Sequence, residues 1–168
     1  SRNDYVSGAE LVEKHDNVVM TRTFSKAFGL AAVRLGWAYC PAEVADVLNR
    51  VRNPFNVTAP AQAAGIAAVS DLSHTDAAIA HNDEWLLKFT AELQNLGYEV
   101  APSVGNFVLV RFDTPETARS AYDYLLSQGI IGRMMGGYGL PESLRFTIGL
   151  ESELKRVIDS LVAHRKSL

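Results

Sequence analysis

The chain has 168 residues, which is enough for one ordinary domain or two small ones. A formal net charge of −3 without a clustered lysine and arginine stripe argues against a nucleic-acid-binding protein. No apolar run reaches the roughly 18 residues of a membrane span, and the N-terminus lacks the charged start and apolar core of a signal peptide.

The first part of the chain predicts two short strands joined by a polar turn. Residues 1–14 are polar and contain at most a short helix over residues 9–12. Asn17 to Met20 is an apolar run typical of a buried strand, and Leu35 to Tyr39 is the next strand. Cys40 follows as the single cysteine, so no internal disulfide can form, and this fits a reducing cytoplasm.

Helical spacing dominates the middle of the chain. Pro41 suits the first position of a helix, and Thr58 is placed to cap an alanine-rich helix over residues 59–69. The longest helical pattern covers residues 76–96, and Gly97 ends it. The first and last of these helices have apolar faces, which consist of Val44, Val47, Leu48 and Val51, and of Trp85, Leu86, Phe89, Leu93 and Leu96.

Strands and helices alternate after Tyr98. Phe107 to Phe112 is apolar on both faces, which predicts a central buried strand. The remaining pattern predicts a Thr114-capped helix from Pro115, a short strand over 130–134 and a mobile glycine loop over 135–141. A half-buried strand follows over 144–148, with Arg145 on the face opposite its apolar residues. A closing helix is predicted over 151–164.

The most distinctive stretch, residues 21–37, places one lysine among hydroxyl groups at the end of the first strand. Lys26 follows Thr23 and Ser25 and precedes Arg34. A lysine amine can form a Schiff base with an aldehyde, and hydroxyl groups with a guanidinium can hold a phosphate dianion. The pattern therefore favours a covalently held, phosphorylated cofactor. The alternatives are a solvated lysine, a turn-capping serine and a surface ion pair.

The stretch SKAFGLAAVRLGW, residues 25–37, resembles the cofactor-lysine motif of fold-type I aminotransferases, which use pyridoxal 5′-phosphate (PLP). Within them it is most similar to the histidinol-phosphate aminotransferase branch. Four further segments, at residues 53–57, 105–112, 129–133 and 144–149, match in the family's order. The resemblance therefore covers nearly the whole chain.

The resemblance implies an α/β fold in two parts. Residues 1–84 would be the end of the large PLP-binding domain, a mixed sheet with helices, and would include the start of a bridging helix. Residues 85–168 would be a small α+β C-terminal domain. Family members are much longer, so the chain is expected to be the C-terminal half of an enzyme and inactive by itself. Family enzymes are homodimers with the site at the subunit interface.

The resemblance also implies roles for the residues around the lysine. Lys26 would form the Schiff base and move a proton between the substrate Cα and the cofactor C4′. Ser25, Arg34 and Thr23 would bind the cofactor phosphate. An aspartate and a tyrosine that contact the cofactor in the family have no match in Asp4-Tyr5, which are expected to be surface loop residues.

Three residues of the second half match substrate-binding positions of the family. Arg145 would bind a carboxylate or phosphate of the substrate, and Arg133 would bind the substrate phosphate. Gly132 stands before Arg133 where the family has a β-branched residue. Asn106 either orients the substrate or ties down a turn. Tyr138, in the glycine loop, either closes over the site or is an ordinary exposed tyrosine.

The implied reaction is PLP-dependent amino transfer from histidinol phosphate to 2-oxoglutarate, which yields imidazole acetol phosphate and glutamate in histidine biosynthesis. An aminotransferase for aromatic or other amino acids is an alternative, as is a decarboxylase of an amino-acid phosphate. The non-enzymatic alternative is a module that binds a phosphorylated ligand or a partner protein. The four histidines show no metal-ligand spacing, so no metal site is expected.

Overall fold

Helices and strands in the computed structural model, which describes residues 5–166, follow most of the predicted order. Asp4 lies outside the described residues. Within that range no helix is long and apolar enough to cross a membrane. The chain divides into two compact units between Ala78 and Ile79. The elements are α1 Gly8–Val12, β1 Met20–Thr23, β2 Gly36–Tyr39, α2 Ala42–Val51, α3 Ala59–Ser70, α4 Leu72–Asn95, β3 Glu99–Val100, β4 Phe107–Arg111, α5 Pro115–Ser127, β5 Arg133–Met135, a 3₁₀ turn Gly136–Tyr138, β6 Leu140–Thr147 and α6 Glu151–Lys166.

The first unit is built around an antiparallel hairpin of β1 and β2, in which Met20 pairs with Tyr39 and Thr23 pairs with Gly36. The prediction of a buried strand at Asn17 to Met20 is wrong, because β1 starts at Met20 and is mostly exposed. The expected mixed sheet is also replaced by this antiparallel pair. A two-stranded hairpin has no flanking strands, so little of its apolar surface is covered; Trp37 stays 50% exposed.

The two helices that follow form where the sequence predicts them. Thr58 Oγ1 accepts a hydrogen bond from Ala61 N–H at 3.3 Å, which confirms the predicted cap of α3. The predicted apolar face of α2 contains no buried residue, and its Val51 is 71% exposed. Apolar residues at helical spacing indicate that a helix has an apolar face. They do not indicate whether another element covers that face.

The second unit contains an antiparallel sheet in the order β3-β4-β6-β5. The predicted apolar stripe of α4 packs into its core, where Phe89 meets Phe146 edge to face at 6.3 Å. Gly97, at φ +87°, ends the helix as predicted, and Tyr98 N–H donates to the Leu93 carbonyl at 3.1 Å. Fully buried residues from the helices and strands complete this core: Leu93, Val108, Val110, Ala118, Ala121, Leu125, Leu144 and Leu161.

Three predictions for the second unit need correction. β4 is central but buried on one face only, because the core helices cover one side of the sheet and leave Phe107 37% exposed. The strand predicted over 130–134 lies at Arg133–Met135. The predicted mobile loop is a 3₁₀ turn, and β6 already begins at Leu140, because the short turn lets β5 and β6 pair directly.

Gly36→Ala is expected to destabilise the hairpin by about 1–3 kcal/mol. A Cβ at this position would lie 2.7 Å from the Arg22 carbonyl oxygen, so the backbone of β1 would have to move. Amide hydrogen exchange across residues 20–23 and 36–39 measures the loss. Gly137→Ala is the matched control, because a Cβ there meets nothing within 4 Å. Equal protection in both variants would contradict the close approach.

Stability of the second unit is expected to fall as the pH drops below about 6.5, the ordinary pKa of histidine. His164 is buried, hydrogen-bonded to Ser120 Oγ at 2.9 Å and packed on Tyr124, and burial lowers its pKa. The unfolded chain therefore takes up the proton first, which favours unfolding. Urea titrations between pH 5.5 and 7.5 test this.

The matched variants are His164→Gln and His15→Gln, since His15 is exposed. His164→Gln should flatten the dependence of the urea midpoint on pH, whereas His15→Gln should leave it as in the parent. An unchanged slope in His164→Gln would show that other groups cause it.

Candidate active site

The segment between β1 and β2 is anchored by one buried aromatic residue. Phe24 is buried and contacts Phe28 at a ring-centroid distance of 4.8 Å. Its N–H donates to the Leu35 carbonyl at 3.1 Å, and its carbonyl accepts from Leu30 N–H at 2.9 Å. These bonds close the segment into a loop with fixed ends, so the polar residues beside Phe24 have defined positions.

The three predicted cofactor-phosphate ligands lie together at this loop. Thr23 Oγ1 donates to Ser25 Oγ at 2.9 Å and accepts from Ser25 N–H at 3.0 Å. Arg34 Nη1 lies 3.4 Å from Ser25 Oγ and donates to the Ala31 carbonyl at 2.7 Å. Among residues 5–166, no carboxylate pairs with Arg34. The cluster therefore offers two hydroxyl groups and an uncompensated positive charge, which suits an anion.

Arg34 adopts an uncommon backbone conformation, with φ at +55°. A left-handed conformation costs a residue with a Cβ about 1–2 kcal/mol. Such strain is concentrated at functional sites, where the surrounding structure imposes it. The strain is therefore an independent indication of a functional role for Arg34.

Lys26 lies directly beside the cluster. Its side chain is exposed, and within the described part of the chain it forms no ion pair. Its carbonyl accepts from Gly29 N–H at 2.8 Å, and Gly29 has a φ of +68°, which glycine adopts without strain. The amine is thus accessible from solvent.

The second unit brings Arg133 and Arg145 together. They are directly paired across β5 and β6. Leu144 and Phe146 are buried while Arg145 is half-buried, which confirms the predicted alternation along β6. Like charges at opposed positions of a sheet repel each other. Neither arginine has a carboxylate partner among residues 79–166, so an anion between them would relieve the repulsion.

Arg145 also has an incomplete set of hydrogen bonds. Its Nε is buried and has no partner, and its guanidinium carbon lies 5.2 Å from the centre of the Phe107 ring. A buried polar atom without a partner is costly and requires an explanation. Both arginines, together with Arg156 and Glu153, line a cavity of about 530 Å³. The cavity is therefore lined by an arginine whose hydrogen bonds are incomplete.

Asn106 is fixed by a hydrogen bond of its backbone carbonyl. Its carbonyl accepts from Ile148 N–H at 2.9 Å, which extends the pairing of β4 with β6. This bond agrees with the alternative in which Asn106 ties down a turn.

Sequence reasoning did not find the aromatic neighbours of the arginine pair. The sequence indicates only that Phe107 belongs to an apolar strand and that Tyr138 either closes over the site or is an ordinary exposed tyrosine. The strand register that brings Phe107 near Arg145 is not visible in the sequence. The spacing of Arg133 and Tyr138 across a glycine turn was the available signal.

Comparison with known proteins identifies relatives along nearly the whole chain. The family described as aminotransferase class I and II matches residues 1–161. Histidinol-phosphate aminotransferase of Paramagnetospirillum magneticum is 56% identical over 96% of the chain, and that of Rhodospirillum centenum is 54% identical over 95%. The chain spans about half the length of these curated relatives, 45% and 44% respectively.

Solved structures share the fold. The crystal structure of histidinol-phosphate aminotransferase from Sinorhizobium meliloti, in complex with pyridoxal-5′-phosphate, superposes with a TM-score of 0.81 at 30% identity. The match covers 95% of this chain and 44% of that protein. This protein thus belongs to the aminotransferase class I and II family.

Proposed function

We propose that the whole protein is a PLP-dependent aminotransferase that transfers the amino group of histidinol phosphate to 2-oxoglutarate, giving imidazole acetol phosphate and glutamate. The observation that carries this proposal is the 56% identity to a histidinol-phosphate aminotransferase over 96% of the chain. In this proposal, residues 1–84 belong to the large domain and residues 85–168 form a small α+β domain. The active form would be a homodimer.

The residues around Lys26 fit the proposed cofactor. Thr23 Oγ1, Ser25 Oγ and Arg34 Nη1 form one hydrogen-bonded cluster, with Arg34 uncompensated by a carboxylate. These groups would bind the phosphate of PLP, and Lys26 would bind its aldehyde carbon. The strained backbone of Arg34 supports a role that a relaxed surface arginine would not require.

Bound PLP would supply an aldehyde for amine exchange and an electron-poor ring that stabilises negative charge at the substrate Cα. Lys26 Nζ would take the proton from the substrate Cα and return it to the cofactor carbon, a transfer that requires the neutral amine. Arg34 would fix the phosphate end and so limit the movement of the reacting atoms relative to Nζ. Ser25 would donate a hydrogen bond from its hydroxyl group to the same phosphate.

Arg133 and Arg145 would bind the phosphate of the donor. Two adjacent guanidinium groups without carboxylate partners suit a dianion. Asn106 would orient the substrate or, as its carbonyl bond supports, hold the end of β4.

Glutamate formation from 2-oxoglutarate with a panel of amino donors tests the proposal on the complete product of the gene. Histidinol phosphate should be the preferred donor over histidinol and over aromatic amino acids. Preference for an aromatic amino acid would retain the chemistry and refute the substrate. No glutamate from any donor, with no spectral change on adding PLP, would favour a non-enzymatic ligand-binding module.

A further inference from the structure

The arginine pair of the second unit differs from Arg111 and Arg119 of that unit in having no carboxylate partner. Arg111, on the neighbouring strand β4, lies 3.4 Å from a Glu142 carboxylate oxygen and 3.9 Å from one of Glu99. Arg119 forms an ion pair with Asp123 at 2.9 Å. Among residues 79–166, neither Arg133 nor Arg145 has such a partner.

Aromatic rings, and not carboxylates, lie beside these two arginines. Arg133 lies 5.6 Å from the ring centre of Tyr138, and its Nη2 donates to the Tyr138 hydroxyl at 3.3 Å. Arg145 lies 5.2 Å from the ring centre of Phe107. A ring face attracts a guanidinium within about 6 Å through its quadrupole. Each arginine is therefore held in place by a group that carries no formal charge.

The absence of a carboxylate partner affects how the arginine pair binds an anion. A carboxylate partner would cancel one positive charge and would have to be displaced by an incoming anion. A ring fixes the guanidinium but leaves its charge intact, so the pair retains two positive charges at adjacent strand positions. Two charges match a phosphate monoester, which is a dianion above its second pKa of about 6. A monoanionic carboxylate would leave one charge unpaired.

We propose that Tyr138 and Phe107 are positioning residues, which hold Arg133 and Arg145 as an uncompensated pair of cations and thereby favour phosphate-bearing donors over carboxylate-bearing ones. The inference deepens the proposed function and rests on it, because it takes the arginine pair as the substrate anion site. Tyr138 acts through Arg133, and Phe107 acts through Arg145.

The test measures anion binding directly, without turnover. The complete gene product is titrated at pH 7.5 with inorganic phosphate and separately with acetate, and NMR follows the arginine side-chain Nε–Hε signals. Phosphate should shift the signals of Arg133 and Arg145. Tyr138→Leu should weaken phosphate binding about fivefold, and Tyr138→Phe, which keeps the ring, about twofold. Phe107→Leu should weaken it by a factor similar to that of Tyr138→Leu. In all three variants the affinity for acetate should change less than the affinity for phosphate.

Tyr5→Leu is the matched control. Tyr5 is 61% exposed and accepts a hydrogen bond from Arg22, whereas Tyr138 is 64% exposed and accepts one from Arg133. The control should bind phosphate as the parent does. If both Tyr138→Leu and Phe107→Leu bind phosphate with parental affinity, the aromatic residues do not position the pair and the inference is overturned, while the anion site stands. If phosphate shifts neither arginine in the parent, the substrate site of the proposed function fails as well.

Discussion

Lys26→Ala is expected to lower amino transfer by about 10³-fold or more, because the substitution removes both the covalent attachment point and the proton carrier. Turnover of histidinol phosphate with 2-oxoglutarate measures the loss. Borohydride reduction after incubation with PLP provides a second readout, since digestion and mass spectrometry locate the reduced adduct. In the parent protein the adduct should map to Lys26, and in Lys26→Ala it should be absent.

Lys14→Ala is the matched control for this substitution. Lys14 is an exposed lysine of the same unit, just after α1, and no cofactor role is proposed for it. It should retain both turnover and the adduct on Lys26. Adducts spread evenly over surface lysines in the complete gene product would show that Lys26 is not the cofactor lysine.

Arg145→Ala is expected to reduce kcat/KM for histidinol phosphate by about 10²-fold, since hydrogen bonds to charged groups contribute about 1.5–3 kcal/mol each. Arg145→Lys keeps the charge but loses the planar bidentate geometry, so it should recover only part of the loss. The melting temperature should stay the same or rise in Arg145→Ala, because the repulsion from Arg133 disappears. Steady-state kinetics and thermal denaturation measure the two effects.

Arg119→Ala provides the comparison for Arg145→Ala. Arg119 is exposed, belongs to the same unit, and is already neutralised by Asp123. Its removal should leave kcat/KM unchanged. A parental kcat/KM in Arg145→Ala would remove Arg145 from the substrate site, and a large fall in its melting temperature would assign it a structural role instead.

Local interactions made most of the elements predictable. The caps at Thr58 and Thr114 are hydrogen bonds to residues three positions away, and the end of α4 depends on the left-handed conformation of Gly97. The stripe of α4 was predictable because helical geometry alone puts residues three and four apart on one face. The alternation of side chains along a strand likewise placed Arg145 on the face opposite Leu144 and Phe146.

Burial was less predictable, because it depends on what lies opposite a residue. The α2 face and the run from Val18 to Met20 are apolar like the stripe of α4, yet none of their described residues is buried while the stripe is. A sequence pattern indicates which side of an element is apolar. Only the packing of distant elements determines whether that side is covered.

The candidate site likewise has features that local sequence predicts and features that depend on packing. The sequence by itself determined that Lys26 follows two hydroxyl-bearing residues at a strand end and that Arg145 faces away from the core, since both depend on neighbours in the chain. Only the tertiary structure decided that Arg34 reaches Ser25, that Arg133 pairs with Arg145, and that aromatic rings rather than carboxylates lie beside that pair. These contacts depend on loop closure and strand register, which bring together residues that the chain separates.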